Sequence, residues 1–190
     1  MTVWAFFGRS SAALVLLILL PVNLTIALLL RILQGSGVLF RQERSGFRGL
    51  PFKLVKFRTM RDLRDSEGNL LADEARVTAI GTFLRKTRLD ELPSFWNVLA
   101  GDLAYVGPRP LLTETVLSLG ERGKRRGDVL PGLTGWAQIN GNTMLTLDEK
   151  VSLDLAYIER RRWNTDAYVI IRTVWVMING EKRRDDILIP

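Results

Sequence analysis

The apolar positions of this chain change character twice. From Ser10 to Leu30 there is no charge at all, and Arg9 and Arg31 bound the run. At helical rise such a run reaches about 30 Å, enough to cross a bilayer core. Two alternating segments follow, Val38 to Glu43 and Pro51 to Arg58. In the second, Phe52, Leu54 and Lys56 fall on one side and Lys53, Val55 and Phe57 on the other. Ser45-Gly46-Phe47-Arg48-Gly49 between them supplies turn glycines, so a β-hairpin is predicted. Helical spacing takes over later. Ile80, Phe83 and Leu84 mark a helix over 80–89, and Leu92, Phe95, Trp96 and Leu99 continue at i, i+3, i+4, i+7, ending at Gly101-Asp102. Residues 147–162 form a helix with acids early and arginines late. A nearly apolar helix follows over 167–178, too short to span comfortably and read as buried or interfacial. Asp62 to Arg76, with its turn at Glu67-Gly68-Asn69, reads as a mobile loop, 121–128 as a solvated charged run, and Glu181 to Asp186 as a frayed end.

The first apolar run is too long for a signal peptide, and strongly basic residues follow it rather than a small-residue cleavage site. Pro21 sits near its centre, where it removes a backbone bond, and Asn23 and Thr25 add polar groups at that depth. A spanning helix and a helix broken at Leu20-Pro21 that returns to the same face are equally compatible with the residues. Eight Lys or Arg against the single acid Glu43 lie between Arg31 and Arg61. That density places this side in the cytoplasm and attracts anionic headgroups.

Composition narrows the chemistry. The 190 residues carry 27 Lys and Arg against 20 Asp and Glu, a net charge of +7. This balance suits phosphorylated substrates, an anionic membrane surface or nucleic acid. There is no histidine and no cysteine, which excludes histidine-based triads, thiolate metal sites and disulfides. Catalysis is left to carboxylates, Lys, Arg, Tyr, hydroxyls or a hard metal ion. Asp90-Glu91, preceded by Arg85, Lys86 and Arg88 and followed by Pro93, is the main candidate. With Pro93 as the first residue of a helix, the two carboxylates lie at its mouth, where anions are favoured; a plain charged loop fits the same nine residues. Arg109, fixed between Pro108 and Pro110, fits bidentate phosphate recognition or a simple turn. The glycine-rich stretch Pro131 to Gly141 offers close backbone approach to a ligand, with Gln138 and Asn140 as hydrogen-bonding groups.

Taken in order, Phe40-Arg41-Gln42-Glu43-Arg44, Lys56-Phe57-Arg58-Thr59-Met60, Leu89-Asp90-Glu91-Leu92-Pro93, Gly107-Pro108-Arg109-Pro110 and Pro131-Gly132-Leu133-Thr134-Gly135 with Ala137-Gln138 and Asn140-Gly141 resemble the bacterial sugar transferase family, the monotopic phosphoglycosyl transferases. The resemblance runs from about Leu14 to Val176. It implies transfer of a sugar phosphate from a nucleotide diphosphate sugar, usually a UDP-sugar, to a polyprenyl phosphate such as undecaprenyl phosphate, with release of UMP. Asp90 then matches the nucleophile that forms an aspartyl-phosphosugar, and Glu91 the carboxylate that holds Mg2+. Arg85 and Arg109 match phosphate-engaging arginines, while Lys56, Arg58 and Gln138 belong to motifs lining the pocket. The implied fold is α+β: a mainly helical monotopic membrane protein with a re-entrant helix over residues 1–33. A catalytic domain over 34–190 carries the short β-hairpin and interfacial amphipathic helices. The implied place is the cytoplasmic face of the bacterial inner membrane, among membrane lipids and without nucleic acid, as the minimal catalytic form of the family.

Leu20 replaces the serine usual at the break, and Leu130 stands where many relatives carry a basic residue. The sugar and the oligomeric state are not legible in the sequence. The rival reading is a membrane-anchored basic protein that binds anionic lipid or nucleic acid without catalysis. It explains the charge and the apolar run, but not the two acids set among cations.

Overall fold

The computed structural model describes residues 3–183, with side chains from residue 8 onward. Helix α1 (Val3–Ile18) breaks at Leu19 and continues as α2 (Leu20–Gln34). The two meet at a 59° bend, and neither alone is long and apolar enough to cross a membrane. Leu17, Ile18, Leu24, Leu28 and Ile32 all point outward and are more than half exposed, a patch that calls for an apolar partner.

Strands β1 (Leu39–Ser45) and β2 (Pro51–Phe57) form the predicted antiparallel hairpin, with Gln42 opposite Leu54 and Phe40 opposite Lys56. The turn is a 3-10 turn, Phe47–Gly49, with Gly49 at φ +77°. The loop after it is more structured than its polarity suggests. The Asp65 carboxylate accepts from the backbone N–H groups of Glu67 and Asn69 at 2.9 Å each, and one helical turn, α3 (Asp73–Arg76), follows.

Helix α4 (Ala79–Lys86) is capped by Thr78, whose hydroxyl accepts from the Gly81 N–H at 3.0 Å. A 3-10 turn, Leu89–Ser94, leads into α5 (Phe95–Ala100), which Gly101 closes in the left-handed conformation. The remaining elements are β3 (Ala104–Val106), α6 (Thr113–Ser118), α7 (Glu121–Arg126), β4 (Gly132–Thr134), α8 (Trp136–Ile139), α9 (Leu147–Arg160) and α10 (Trp163–Asn179). Strands β3 and β4 pair in parallel, Ala104 with Gly132 and Val106 with Thr134, a pairing the sequence did not announce.

Three apolar clusters hold these parts together. Ala12, Leu54, Val98 and Leu103 join α1, β2 and α5. Ile26, Leu30, Phe57 and Leu84 join α2, β2 and α4. Val106, Trp136, Ile139, Leu153, Tyr157 and Val169 join β3, α8, α9 and α10. Strand β2 thus belongs to two of them, and burial of Leu30 or Leu84 contributes about 2 kcal/mol each. The fully buried Tyr157 donates its hydroxyl to Asp166, tying α9 to α10. Helix α10 buries only one stripe, including Val169 and Val176; Trp163, Ile171 and Ile178 are exposed. It is therefore not a core helix. Phe83 and Trp96, members of the apolar helical period, also point outward, at 57% and 60% exposure.

Candidate active site

The carboxylates are positioned by two polar side chains, Ser94 at the end of the 3-10 turn and Asn97 of α5, that grip the edge of β2. Asn97 accepts from the Val55 N–H at 3.0 Å and donates to the Lys53 carbonyl at 2.9 Å, while Ser94 donates to the Val55 carbonyl at 2.6 Å. These bonds satisfy an otherwise open strand edge. They also lay the turn carrying Asp90 and Glu91 beside Lys56. Thr87 ends α4, and Arg88 then reverses the chain in the left-handed region, φ 58° and ψ 13°. Asp90 and Glu91 occupy the first turn of the helical run that starts at Leu89, and Pro93 falls within that 3-10 turn. The expected loop before a helix headed by Pro93 is thereby corrected: the 3-10 turn forms earlier, with the Glu91 N–H bonding the Arg88 carbonyl at 3.2 Å.

The two neighbours are treated differently. Glu91 Oε1 accepts from Lys56 Nζ at 2.6 Å and from Arg109 Nη2 at 2.7 Å. Its side chain is 15% exposed. Burial pushes this carboxyl up, but Arg109 and then Lys56 outweigh it and hold it at about 2. Asp90 accepts no hydrogen bond from any described residue. Burial and then the adjacent Glu91 charge raise its carboxyl above the ordinary value, against the pull of Lys56, Arg109 and Arg85. Lys56 is pushed down by burial, with Glu91 opposing. Arg85 donates Nε to Thr59 Oγ1 at 2.8 Å, and its charge acts on Asp90. Lys56, Arg85, Arg109, Asp90 and Glu91 thus share one charged neighbourhood.

Arg109 is held from behind. Its carbonyl accepts from Arg126 Nη2 at 2.8 Å, and Arg126 pairs with Asp154 at 2.7 Å, both side chains about 95% or more buried. The charged run 121–128 is thus not simply solvated. The glycines near this loop also serve a purpose other than the expected one. A Cβ on Gly135 would lie 2.1 Å from the Gly107 carbonyl oxygen, and one on Gly132 would lie 2.2 Å from the Gly107 nitrogen. Backbone packs on backbone here.

Two predicted residues stand apart. Arg58 donates to the Ser36 carbonyl and packs under Gly37. Gln138 is buried and donates to the Leu133 carbonyl at 3.0 Å. Neither bonds either carboxylate. Four further residues join the site. Arg44 is lowered first by burial and then by Arg109. Arg88 reaches Glu181 at 2.5 Å and stands 4.0 Å from Glu91 Oε2. Arg126 lies in the charged run, and Glu181 begins the segment expected to fray, whose last three residues, 184–186, lie outside the described residues.

The sequence profile described as bacterial sugar transferase matches residues 2–180. The chain belongs to the bacterial sugar transferase family. Among members, it is 47% identical over 151 residues to the uncharacterized sugar transferase EpsL of Bacillus subtilis (strain 168), covering 80% of this chain and 75% of that protein. It is 41% identical over 176 residues to the UDP-glucose:undecaprenyl-phosphate glucose-1-phosphate transferase of Escherichia coli (strain K12), covering 86% of this chain and 38% of that protein. It is 31% identical over 191 residues to the UDP-N-acetylgalactosamine-undecaprenyl-phosphate N-acetylgalactosaminephosphotransferase of Aeromonas hydrophila, covering 94% and 45%. This sugar transferase chain therefore spans less than half the length of the last two relatives.

Among the described residues no three metal-ligating side chains converge. Glu91 Oε2 accepts no hydrogen bond from a described residue, and the Asp90 oxygens are likewise open. A small set of carboxylate oxygens of this kind fits Mg2+, which retains water and completes its shell with substrate phosphate oxygens.

Proposed function

We propose that this sugar transferase moves a sugar 1-phosphate from a UDP-sugar to undecaprenyl phosphate through a covalent intermediate on Asp90. The observation that carries this reading is the unequal state of the two adjacent carboxylates: Glu91 is bound by Lys56 and Arg109, and Asp90 is open beside the same cations. A carboxylate can approach a diphosphate only where the anionic charge of both is offset, and Lys56, Arg85 and Arg109 supply fixed positive charge for that purpose. An Asp90 oxygen attacks the β-phosphorus, the bond to the UMP oxygen breaks, and UMP leaves. A phosphate oxygen of the lipid then attacks the same phosphorus and frees Asp90. Dividing the reaction this way lets a soluble donor and a lipid acceptor use one site in turn. Glu91 is the residue that would hold Mg2+, which leaves Asp90 free to attack. The ion when bound offsets charge on the diphosphate.

The names of the Escherichia coli and Aeromonas hydrophila relatives support the donor and acceptor classes. The outward apolar faces of α1, α2 and α10 support a site at the lipid headgroup level, with the bent α1–α2 pair entering one leaflet from the cytoplasmic face.

The test is a screen of UDP-sugars with Mg2+, with and without undecaprenyl phosphate. The intact chain is expected to release one equivalent of UMP without acceptor and to turn over with it. Asp90→Asn is expected to abolish both. Turnover by Asp90→Asn, or free sugar phosphate in place of lipid product, would overturn the reading.

A further inference from the structure

The segment after α10 enters the site. Gly180, at φ +82°, turns the chain out of the helix, and Glu181 then meets four donors. Arg88 Nη2 and Asn142 Nδ2 donate to Oε1 at 2.5 and 2.6 Å; Thr143 Oγ1 and the Thr143 N–H donate to Oε2 at 2.5 and 3.3 Å. Two residues on, Arg183 pairs with Glu149 at 2.7 Å, and its Cα lies so close to Gly141 that a Cβ there would come within 3.3 Å. Glu181 is therefore fixed to the 141–143 turn independently of Arg88.

Arg88 stands between two carboxylates. Its Nη2 is on Glu181, and its Nη1 is 4.0 Å from Glu91 Oε2, the oxygen that Lys56 and Arg109 leave open. Arg88, Glu91 and Glu181 are 19%, 15% and 24% exposed at their side chains. A shift of about 1 Å would let Arg88 donate to Glu91 Oε2. Glu91 would then carry three cationic partners and no open oxygen.

We propose that Glu181 is a positioning residue that restrains Arg88 and so keeps Glu91 Oε2 available to a divalent cation. The inference rests on the proposed role of Glu91 as the metal-holding carboxylate. Removing the Glu181 charge releases Arg88 onto Glu91, and the cation then competes with a guanidinium for that oxygen. The effect exists only while Arg88 is present, which separates it from a simple loss of negative charge near the metal.

The experiment is direct Mn2+ binding to the detergent-purified chain, read from the electron paramagnetic resonance signal of free Mn2+ in the absence of substrate. It compares the unsubstituted protein, Glu91→Gln, Glu181→Gln, Arg88→Gln and Glu181→Gln/Arg88→Gln. Glu181→Gln is expected to weaken binding about two- to fivefold, the scale of a partly exposed ion pair. The same substitution is expected to have no effect in the Arg88→Gln background. Equal weakening in both backgrounds, or none in either, overturns the inference while Glu91→Gln still abolishes binding. If Glu91→Gln binds Mn2+ as the unsubstituted chain does, the reading of Glu91 fails and the inference falls with it.

Discussion

Arg126 donates to the main-chain carbonyl of Arg109 at 2.8 Å, so a charge buried between α7 and α9 holds the loop that presents a second cation to Glu91. Asp154 neutralises that charge with one oxygen, Oδ2, at 3.0 and 2.7 Å from Arg126 Nε and Nη2. Removing one partner of such a pair leaves the other buried and uncompensated, at a cost of about 3–5 kcal/mol. Asp154→Leu is expected to show a loss of this size in thermal or denaturant unfolding. Asp154→Leu/Arg126→Met is expected to recover most of the stability but not the hold on the Arg109 carbonyl. Full activity in a stable double variant would show that the tether does not matter to the site.

Gly81 tests how closely α4 must approach the strand end that leads to Thr59. A Cβ at this position would lie 1.9 Å from the Thr59 carbonyl oxygen. Alanine is the better helix former by about 1 kcal/mol, so propensity alone favours Gly81→Ala. The clash is expected to win, with a net destabilisation of about 1–3 kcal/mol and a displaced Arg85, whose Nε bonds Thr59 Oγ1. A raised melting temperature for Gly81→Ala would refute this account of the packing.

The hairpin and the helices around the site were legible because each repeats a pattern over enough residues. Phe52 and Leu54 alternate toward one side, and the turn has its glycines. Strands β3 and β4, three residues each, are too short to show a period and are specified by their parallel pairing across the fold. Arg126 sits in a run of charges that looks solvated, and only Asp154, brought in by α9, makes its burial tolerable. Phe83 and Trp96 match the helical period but face outward. Periodicity identifies an apolar face without identifying what covers it. Asp90 and Glu91 stand out locally as an acid pair among cations and Arg109 as an arginine between two prolines; their roles, and those of Lys56 and Arg85, come only with the motif resemblance. The partnership of Arg88 with Glu181 depends on a contact across 93 positions and leaves no local trace.

Glu91 gives the acid stability of the site a definite sign. Its carboxyl is held at about 2 in the folded chain against an ordinary 4.5. The folded state therefore binds fewer protons than the unfolded state between these values, and stability falls as pH falls through that window. The ionised carboxylate contributes its full share, about 3 kcal/mol at most, above pH ~4.5. Glu91→Gln is expected to be less stable than the unsubstituted chain at pH 7, with the gap closing as pH drops from about 4.5 toward 2. Unfolding free energies measured across that range check it, and two parallel curves would contradict it.

The break in the first apolar run carries the last prediction. Pro21 lacks an N–H, so the Leu17 carbonyl loses its helical partner. The polar residues that looked costly in the sequence turn back onto the backbone: Asn23 Nδ2 donates to the Leu19 carbonyl at 3.0 Å and Thr25 Oγ1 to the Pro21 carbonyl at 2.9 Å. The Leu19 carbonyl also accepts the Asn23 N–H at 2.8 Å, so these bonds pair the polar side-chain donors at the 59° bend without replacing the partner that Leu17 lost, and Asn23 Oδ1 stays buried without one. Under the proposed one-leaflet insertion, both ends of the α1–α2 pair lie on the cytoplasmic side. The chain has no cysteine, so Thr2→Cys offers a single thiol. It is expected to react with an impermeant maleimide only when the cytoplasmic face is open to the reagent. Pro21→Leu restores the missing N–H and lets the helices align into a span long enough for a bilayer, so part of the label is expected to appear on the opposite side. Labelling of Thr2→Cys from the outer side with Pro21 intact would mean that the bend does not return the chain to the face it entered.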